Sequence, residues 1–277
     1  MSINGRTKVY GIIGNPVSHA LSPAMQNGAF EALDENRVYL PFPVKDVQAA
    51  LTGLRGLGLC GASVTIPHKE EVLQYLDEVA PVAGRIGAVN TIIVKEEKGR
   101  KWLCGSNTDW QGANRALMQK VELAGKSIVL LGAGGSARAI GFGLQEAGAT
   151  VCLCSRTESR GRGLAEDLGC PWVSLREVAG LQGDVLVNAT SVGMRPHEDR
   201  SPVAMEVLHN YHVVMDIVYA PLETRLLKEA RQVGCEVING LEMLLYQGVA
   251  QFELWTGQKG PVEVMRRVLY SQTGNFK

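Results

Sequence analysis

Ser127-Ile128-Val129-Leu130-Leu131-Gly132-Ala133-Gly134-Gly135-Ser136-Ala137-Arg138-Ala139 is the stretch that decides the fold. Its β-branched and leucine run reads as a buried strand, its glycines as a tight turn, and the residues from Ser136 as a helix start. In that order a bare backbone can approach a diphosphate, and the charge then meets the unpaired amides of a helix N-terminus. Gly132, Ala133, Gly134, Gly135 and Ser136 are therefore candidates for binding a dinucleotide. The spacing departs from G-x-G-x-x-G, because Ala137 stands at the third glycine position. A glycine turn that serves packing alone is the plainer reading.

A second strand, Thr150–Cys154, completes the βαβ unit, and its end chooses the cofactor. A fold that prefers NAD places Asp or Glu there, accepting from the ribose hydroxyls. This chain reads Cys154-Ser155-Arg156-Thr157-Glu158-Ser159-Arg160 instead. Two guanidinium groups four residues apart, with hydroxyls beside them, suit a phosphate dianion. Ser155, Arg156, Thr157 and Arg160 are expected to hold the extra phosphate of NADP. A solvated basic turn is the alternative.

Outward from this unit, short β-branched runs alternate with helix-period segments, the pattern of a mostly parallel sheet. In the first half the strands are expected at Val9–Ile13, Val38–Phe42, Ala62–Ile66, Val89–Val94 and Lys101–Cys104. Helices are expected from Ser22, with serine as N-cap and Pro23 at the first helical position, and over Asp46–Leu57. Later strands are expected at Val185–Asn188, Val213–Ile217 and Glu236–Ile238. The helices there are Ser136–Ala147, Ser159–Leu168 and Glu223–Gln232. The tail reads as two helices, Leu241–Thr256 and Val262–Tyr270, without a strand.

The 277 residues make just under two domains of ordinary size. Lys plus Arg and Asp plus Glu are each 28, so the net charge is zero. That balance argues against a broad nucleic-acid-binding face and against attraction to an anionic membrane. No apolar run is long enough to span a bilayer, and the N-terminus reads as no signal peptide. The six cysteines have no partner pattern for a zinc site. They read as buried free thiols in a cytoplasmic protein, with no metal expected.

The first half places polar residues where strands end. Ser22 can be an N-cap, or can present its hydroxyl to a carboxylate beside the helix amides. Thr65 and Lys69 lie in Val64-Thr65-Ile66-Pro67-His68-Lys69, just past a strand, where parallel sheets meet their ligands. Asn90 and Asp109 follow in Gly87-Ala88-Val89-Asn90-Thr91 and Asn107-Thr108-Asp109. Taken singly, such charges are ordinary surface groups. Together they suit a small polyhydroxylated acid.

With these motifs the chain resembles the shikimate dehydrogenases from about Tyr10 to Gln251. The match continues through Gly14-Asn15-Pro16…His19…Ser22-Pro23, Asn188-Ala189-Thr190-Ser191-Val192-Gly193-Met194, Asp216-Ile217-Val218-Tyr219 and Gly240…Met243-Leu244…Gln247. The resemblance implies two α/β domains with a cleft between them. Residues 1–107 with 242–277 would form the substrate domain with a mostly parallel sheet, and 108–241 a Rossmann-like NADP domain. It implies Lys69 and Asp109 as the catalytic pair. Ser22, Thr65, Asn90, Asp109, Tyr219 and Gln247 would contact shikimate, while Thr190, Ile217 and Gly240 would line the cofactor. Ala20 stands where the family has a second serine at the substrate, and Ser63 where asparagine is usual. His19 reads as a structural hydrogen-bonder.

The activity so implied is reversible reduction of 3-dehydroshikimate to shikimate, with Lys69 as proton donor and Asp109 orienting it. A quinate/shikimate dehydrogenase or a substrate-shifted paralogue is the nearest alternative. An NADPH-sensing regulator without turnover is the alternative from another class. The partners expected are the small-molecule substrate and, as an option, a second copy of the chain in a homodimer.

Overall fold

Two separate sheets organise the computed structural model, which describes residues 3–273. The chain divides into one unit of Met1–Thr108 with Gln247–Lys277 and another of Asp109–Tyr246. Of the expected domain ends, residues 1–2 and 274–277 lie outside the described residues.

The first unit runs β1 (Lys8–Gly14), α1 (Ser22–Ala32), β2 (Arg37–Pro43), α2 (Val47–Gly56), β3 (Gly61–Val64), β4 (Glu78–Val79), α3 (Pro81–Ile86), β5 (Thr91–Glu97) and β6 (Arg100–Ser106). The strands lie in the order β2-β1-β3-β5-β6-β4. β1 is parallel to β2 and β3, and β4 to β6, while β5 runs antiparallel to both its neighbours. The β5–β6 hairpin explains this reversal. Its two loop residues, Lys98 and Gly99, both have positive φ, 52° and 76°, the conformation whose twist suits a two-residue loop. At α2, Asp46 caps the helix by accepting from the Ala49 amide at 2.9 Å.

The second unit runs α4 (Asp109–Leu117), β7 (Ser127–Leu131), α5 (Gly135–Glu146), β8 (Thr150–Ser155), α6 (Glu158–Leu168), β9 (Trp172–Ser174), β10 (Val185–Asn188), β11 (Val213–Asp216), α7 (Arg225–Gln232) and β12 (Glu236–Ile238). All its pairings are parallel, in the order β12-β11-β10-β7-β8-β9. The chain leaves β7 towards β8 and later returns on the other side at β10. That makes the C-terminal end of β7 a topological switch point, where ligands of such sheets bind. Two further helices follow, α8 (Gly240–Thr256) and α9 (Val262–Ser271). The division between the units falls inside α8.

Each unit has its own core. In the first, Val47, Leu51 and Leu54 of α2 pack on Ala62, Val64, Ile92 and Leu103 of the sheet. Its other face holds an aromatic cluster, with Tyr10 5.7 Å from Phe30 and 5.3 Å from Trp255, ring centre to ring centre. In the second, Leu131, Leu186 and Val214 meet Leu226, Leu227 and Ala230 of α7. Burying each such side chain contributes roughly 1.5–3 kcal/mol.

Several expected boundaries shift. Leu21, not Ser22, takes the cap position of α1, at φ −86° and ψ −17°, with no side-chain bond. The third strand stops at Val64, because Thr65 begins a turn that the His68 amide closes on the Thr65 carbonyl at 3.0 Å. α7 begins at Arg225 rather than Glu223, since Thr224 caps it.

Candidate active site

In the first unit the strand ends meet at one edge of the sheet. The Thr65 amide donates to Ile13 O at 2.9 Å, the Val64 amide to Asn90 O at 2.8 Å and the Val89 amide to Lys69 O at 2.8 Å. These bonds bring Thr65, Lys69 and Asn90 together. Gly14 is required there, because a Cβ on it would lie 2.3 Å from Thr65 Cγ2. Thr65 and Lys69 are half-buried, and Asn90 is buried.

Asn90 is held by a continuous buried network of neutral groups. Its Nδ2 donates to Thr108 Oγ1 at 3.0 Å, and its Oδ1 accepts from the Thr108 amide at 2.8 Å and the Thr91 hydroxyl at 2.7 Å. Gln251 Nε2 donates to Asn90 O at 3.1 Å and Thr91 Oγ1 at 3.0 Å. Gln251 Oε1 accepts from Ser63 at 2.7 Å, and Ser63 Oγ accepts from the Tyr39 hydroxyl at 2.6 Å. A carboxamide engaged at both ends cannot rotate. Ser63, the departure from the family pattern, thus joins the β2 tyrosine to the α8 glutamine. Asp109 follows Thr108 directly and is buried at the head of α4.

Ser22 and Gln26 are one turn apart on α1 and share a face. Gln26 Nε2 donates to Gly248 O at 2.9 Å, next in sequence to Gln247. Ser22 is a buried residue that does not cap its helix, and its hydroxyl has no hydrogen-bond partner among the described residues. Ala20 is half-buried, and Ser18 Oγ contacts His19 Nδ1 at 3.3 Å.

In the second unit the cofactor candidates line the C-terminal edge of the sheet. Gly132 has φ +119°, and a Cβ on it would sit 3.0 Å from Ala189 O. The Gly132 amide donates to Cys154 O, the Ala189 amide to Leu131 O and the Ile217 amide to Asn188 O, at 2.8, 2.8 and 3.1 Å. Gly240 packs against the same edge, since a Cβ there would lie 2.2 Å from Ile217 O. Tyr219 is exposed.

These residues suit a dinucleotide phosphate. A Cβ built on Gly134 or Gly135 meets no other described atom within 4 Å, so their bareness serves no packing need. No side chain caps α5 or α6, which leaves both sets of first-turn amides available. Arg162 is already committed, to Glu158 at 2.8 Å and over the Trp172 ring at 4.6 Å. Arg156 and Arg160 are exposed and pair with no carboxylate among the described residues. Ser155 is buried, and its hydroxyl accepts from Trp172 Nε1 at 2.9 Å and donates to Thr157 O at 3.2 Å. No group of His, Cys, Asp or Glu among the described residues could hold a metal ion, and no helix among them is long and apolar enough to cross a membrane.

Residues whose place in these networks reading the sequence missed include Gln251, Asn188, Thr224 and Asp216. The signal for Asp216 was a carboxylate inside the apolar run Val213-Val214-Met215-Asp216-Ile217-Val218, since unpaired Asp is almost never fully buried.

Comparison with known proteins agrees with this layout. The shikimate dehydrogenase substrate binding domain matches residues 12–92, and the shikimate 5'-dehydrogenase C-terminal domain matches residues 240–270. A shikimate dehydrogenase (NADP(+)) from Moorella thermoacetica is 46% identical over 99% of this chain and 96% of its own. A crystal structure of a shikimate dehydrogenase in complex with NADP+ is 40% identical, covers 98% of each chain and has a TM-score of 0.91. That of shikimate 5-dehydrogenase from Thermus thermophilus, in complex with NADP(H) and shikimate, is 38% identical over 96% of this chain and 99% of that one, with a TM-score of 0.87. Matching both domain models and sharing nearly half its residues with such a relative, the chain belongs to the shikimate dehydrogenase family.

Proposed function

We propose that this chain catalyses the reversible, NADPH-dependent reduction of 3-dehydroshikimate to shikimate. The observation that carries the reading is the pair of unpartnered arginines, Arg156 and Arg160, where a carboxylate would stand for NAD. The relatives' names supply the same cofactor and activity. Gly132–Ser136, Thr157 and the two arginines would hold the reduced cofactor, with Thr190, Ile217 and Gly240 lining it, and it would supply hydride.

The remaining chemistry falls to the chain's own side chains. Lys69 Nζ gives a proton to the oxygen that becomes the new hydroxyl, as general acid. Asp109 accepts from that hydroxyl and orients the ammonium. Ser22, beside the amides of α1, holds the substrate carboxylate, while Thr65, Asn90, Tyr219 and Gln247 take its remaining polar groups. The fixed carboxamide of Asn90 supports this role, because preorganised groups need no reorientation during reaction. The compartment proposed is the cytoplasm, supported by six free thiols. A homodimer is retained in the reading, and light scattering decides it.

The test follows NADPH absorbance with purified wild-type protein, offering shikimate and quinate with NADP+ and NAD+ in turn. Turnover greatest with shikimate and NADP+ is expected. Turnover greatest with quinate, or none with any pair, overturns the reading.

A further inference from the structure

We propose that Asp216 is a positioning residue for the cofactor. As an acceptor-only carboxylate it acts through Asn188 to turn the Thr190 hydroxyl, so that a lone pair and not a proton is left for the bound molecule. The inference rests on the NADPH-dependent reading above.

Asp216 ends β11 with no exposed surface, and it faces Asn188 in register on β10. Its Oδ1 accepts from Asn188 Nδ2 at 2.9 Å and from the Val218 amide at 3.0 Å. Its Oδ2 accepts from the Thr224 hydroxyl at 2.7 Å. Among the described residues no charged side chain faces it. A carboxylate cannot donate, so the amide nitrogen of Asn188 points at it, reaching Val192 O at 3.4 Å as well, and Oδ1 points away. There Oδ1 accepts from the Thr190 amide at 3.1 Å and the Thr190 hydroxyl at 2.7 Å. Thr190 Oγ1 in turn accepts from the Val192 amide at 3.1 Å.

The hydroxyl has one proton and two lone pairs. The proton is spent on Asn188 and one lone pair on Val192. What Thr190 offers a ligand is its second lone pair, which selects a hydrogen-bond donor. Ionised phosphate oxygens only accept, so Thr190 takes no part in phosphate binding. The donors on a nicotinamide dinucleotide are its ribose hydroxyls and its carboxamide N–H. Burial pushes the Asp216 carboxyl up to about 6, so the charge is kept at a cost in stability that packing alone would not demand.

The test is a double-mutant cycle. NADPH affinity, read by its fluorescence, and KM for shikimate are measured for wild type, Asp216→Asn, Thr190→Val and the double variant. Thr190→Val is expected to weaken NADPH about fivefold to tenfold, the share of one hydrogen bond, with KM for shikimate within about twofold. Asp216→Asn keeps the shape, and the Thr190 and Val218 amides still orient both carboxamides, so it removes only the charge that strengthens the Asn188 bond and is expected to weaken NADPH about threefold. The double variant should be no weaker than Thr190→Val, because Asp216 acts through that hydroxyl. Thr190→Ser should keep wild-type affinity. Additive losses in the double variant, or failure of Thr190→Ser to keep affinity, overturn the proposal.

The acetylpyridine analogue of NADP+, which lacks the carboxamide N–H, separates the two donors. If that N–H is the donor, Thr190→Val erases the preference for NADP+ over the analogue. If a ribose hydroxyl is the donor, the preference survives while both bind more weakly. Wild-type protein without shikimate-dependent turnover defeats the functional reading. Wild-type turnover with an additive cycle defeats only the role of Asp216.

Discussion

The two units solve the same problem with different chemistry. In the first, Tyr39, Ser63, Gln251, Thr91, Asn90 and Thr108 form a buried network without one ionised group. In the second, Thr224, Asn188 and Thr190 are arranged around a buried carboxylate. In the neutral network, where hydroxyls both donate and accept, the directions are set by backbone groups of fixed sense, the Thr108 amide and the Asn90 carbonyl. In the second unit an acceptor-only carboxylate adds to the amides of Thr190 and Val218 in setting them. The first unit therefore gains rigidity from the number of its bonds, the second from the sign of one charge.

The sharpest break removes the group that stands outside the neutral network. Lys69→Ala should lower kcat by roughly 100- to 10,000-fold while NADPH affinity, measured by fluorescence, changes little. Retention of more than about a third of wild-type kcat would remove Lys69 from proton transfer.

Asp216→Asn tests the charge. Its folded-state value of about 6 lies above the ordinary 3.8, so ionisation opposes folding. The stabilisation that protonated Asp216 gives is present below about pH 4 and is lost as pH rises through about 6, by about 3 kcal/mol. Asp216→Asn should therefore gain about 2 kcal/mol near pH 7 and little near pH 4, as read by urea unfolding at each pH. A loss of stability at pH 7 would show the charge to be structurally favourable after all.

Gln251→Leu is the matching cut in the neutral network. It removes partners from Ser63, Thr91 and the Asn90 carbonyl, and each buried group left unsatisfied costs about 1–3 kcal/mol. A loss of about 2 kcal/mol, equal at pH 5 and pH 8, is expected from the same unfolding curves. A loss that varies with pH across that range would place a titrating group in the network.

Two smaller effects are read in kinetics. Removing both Arg156 and Arg160 should weaken NADPH at least about tenfold and NADH little, since charged hydrogen bonds contribute roughly 1.5–3 kcal/mol each. Equal weakening of both would move the phosphate elsewhere. Ala20→Ser should lower KM for shikimate by about threefold, with kcat within about twofold, because the carboxylate is remote from the reacting carbon. An unchanged or raised KM would mean a pocket packed around alanine.

How much of this was legible follows the same contrast between local and distant partners. The glycine turn and the parallel strands could be read directly, since β-branched runs and the loss of side chains at Gly134 and Gly135 are local signals. So were the basic residues after β8. α4 was not, because Asp109-Trp110-Gln111-Gly112 reads as a loop until Ala113, Ala116 and Leu117 are seen packed. β4 and β9, of two and three residues, carry too little pattern. The bond from Trp172, 17 residues on, to the Ser155 hydroxyl was not legible either. Gln251 was missed for the same reason, its partners lying 160 residues and more away.

The glycines carry a consequence for how such a chain can drift. At Gly240 a Cβ would lie 2.2 Å from Ile217 O, and at Gly161 it would lie 2.1 Å from Trp172 Nε1 and 2.2 Å from Ser155 Oγ. Selection for folding alone would keep those two glycines in every descendant. Gly134 and Gly135 face open space, and under the proposed function only the bound dinucleotide would object to a side chain there. A population released from its metabolic task but still required to fold would fill those two positions first. Its members would lose the dinucleotide while every strand stayed in place, and the descendants would be stable proteins available for another use.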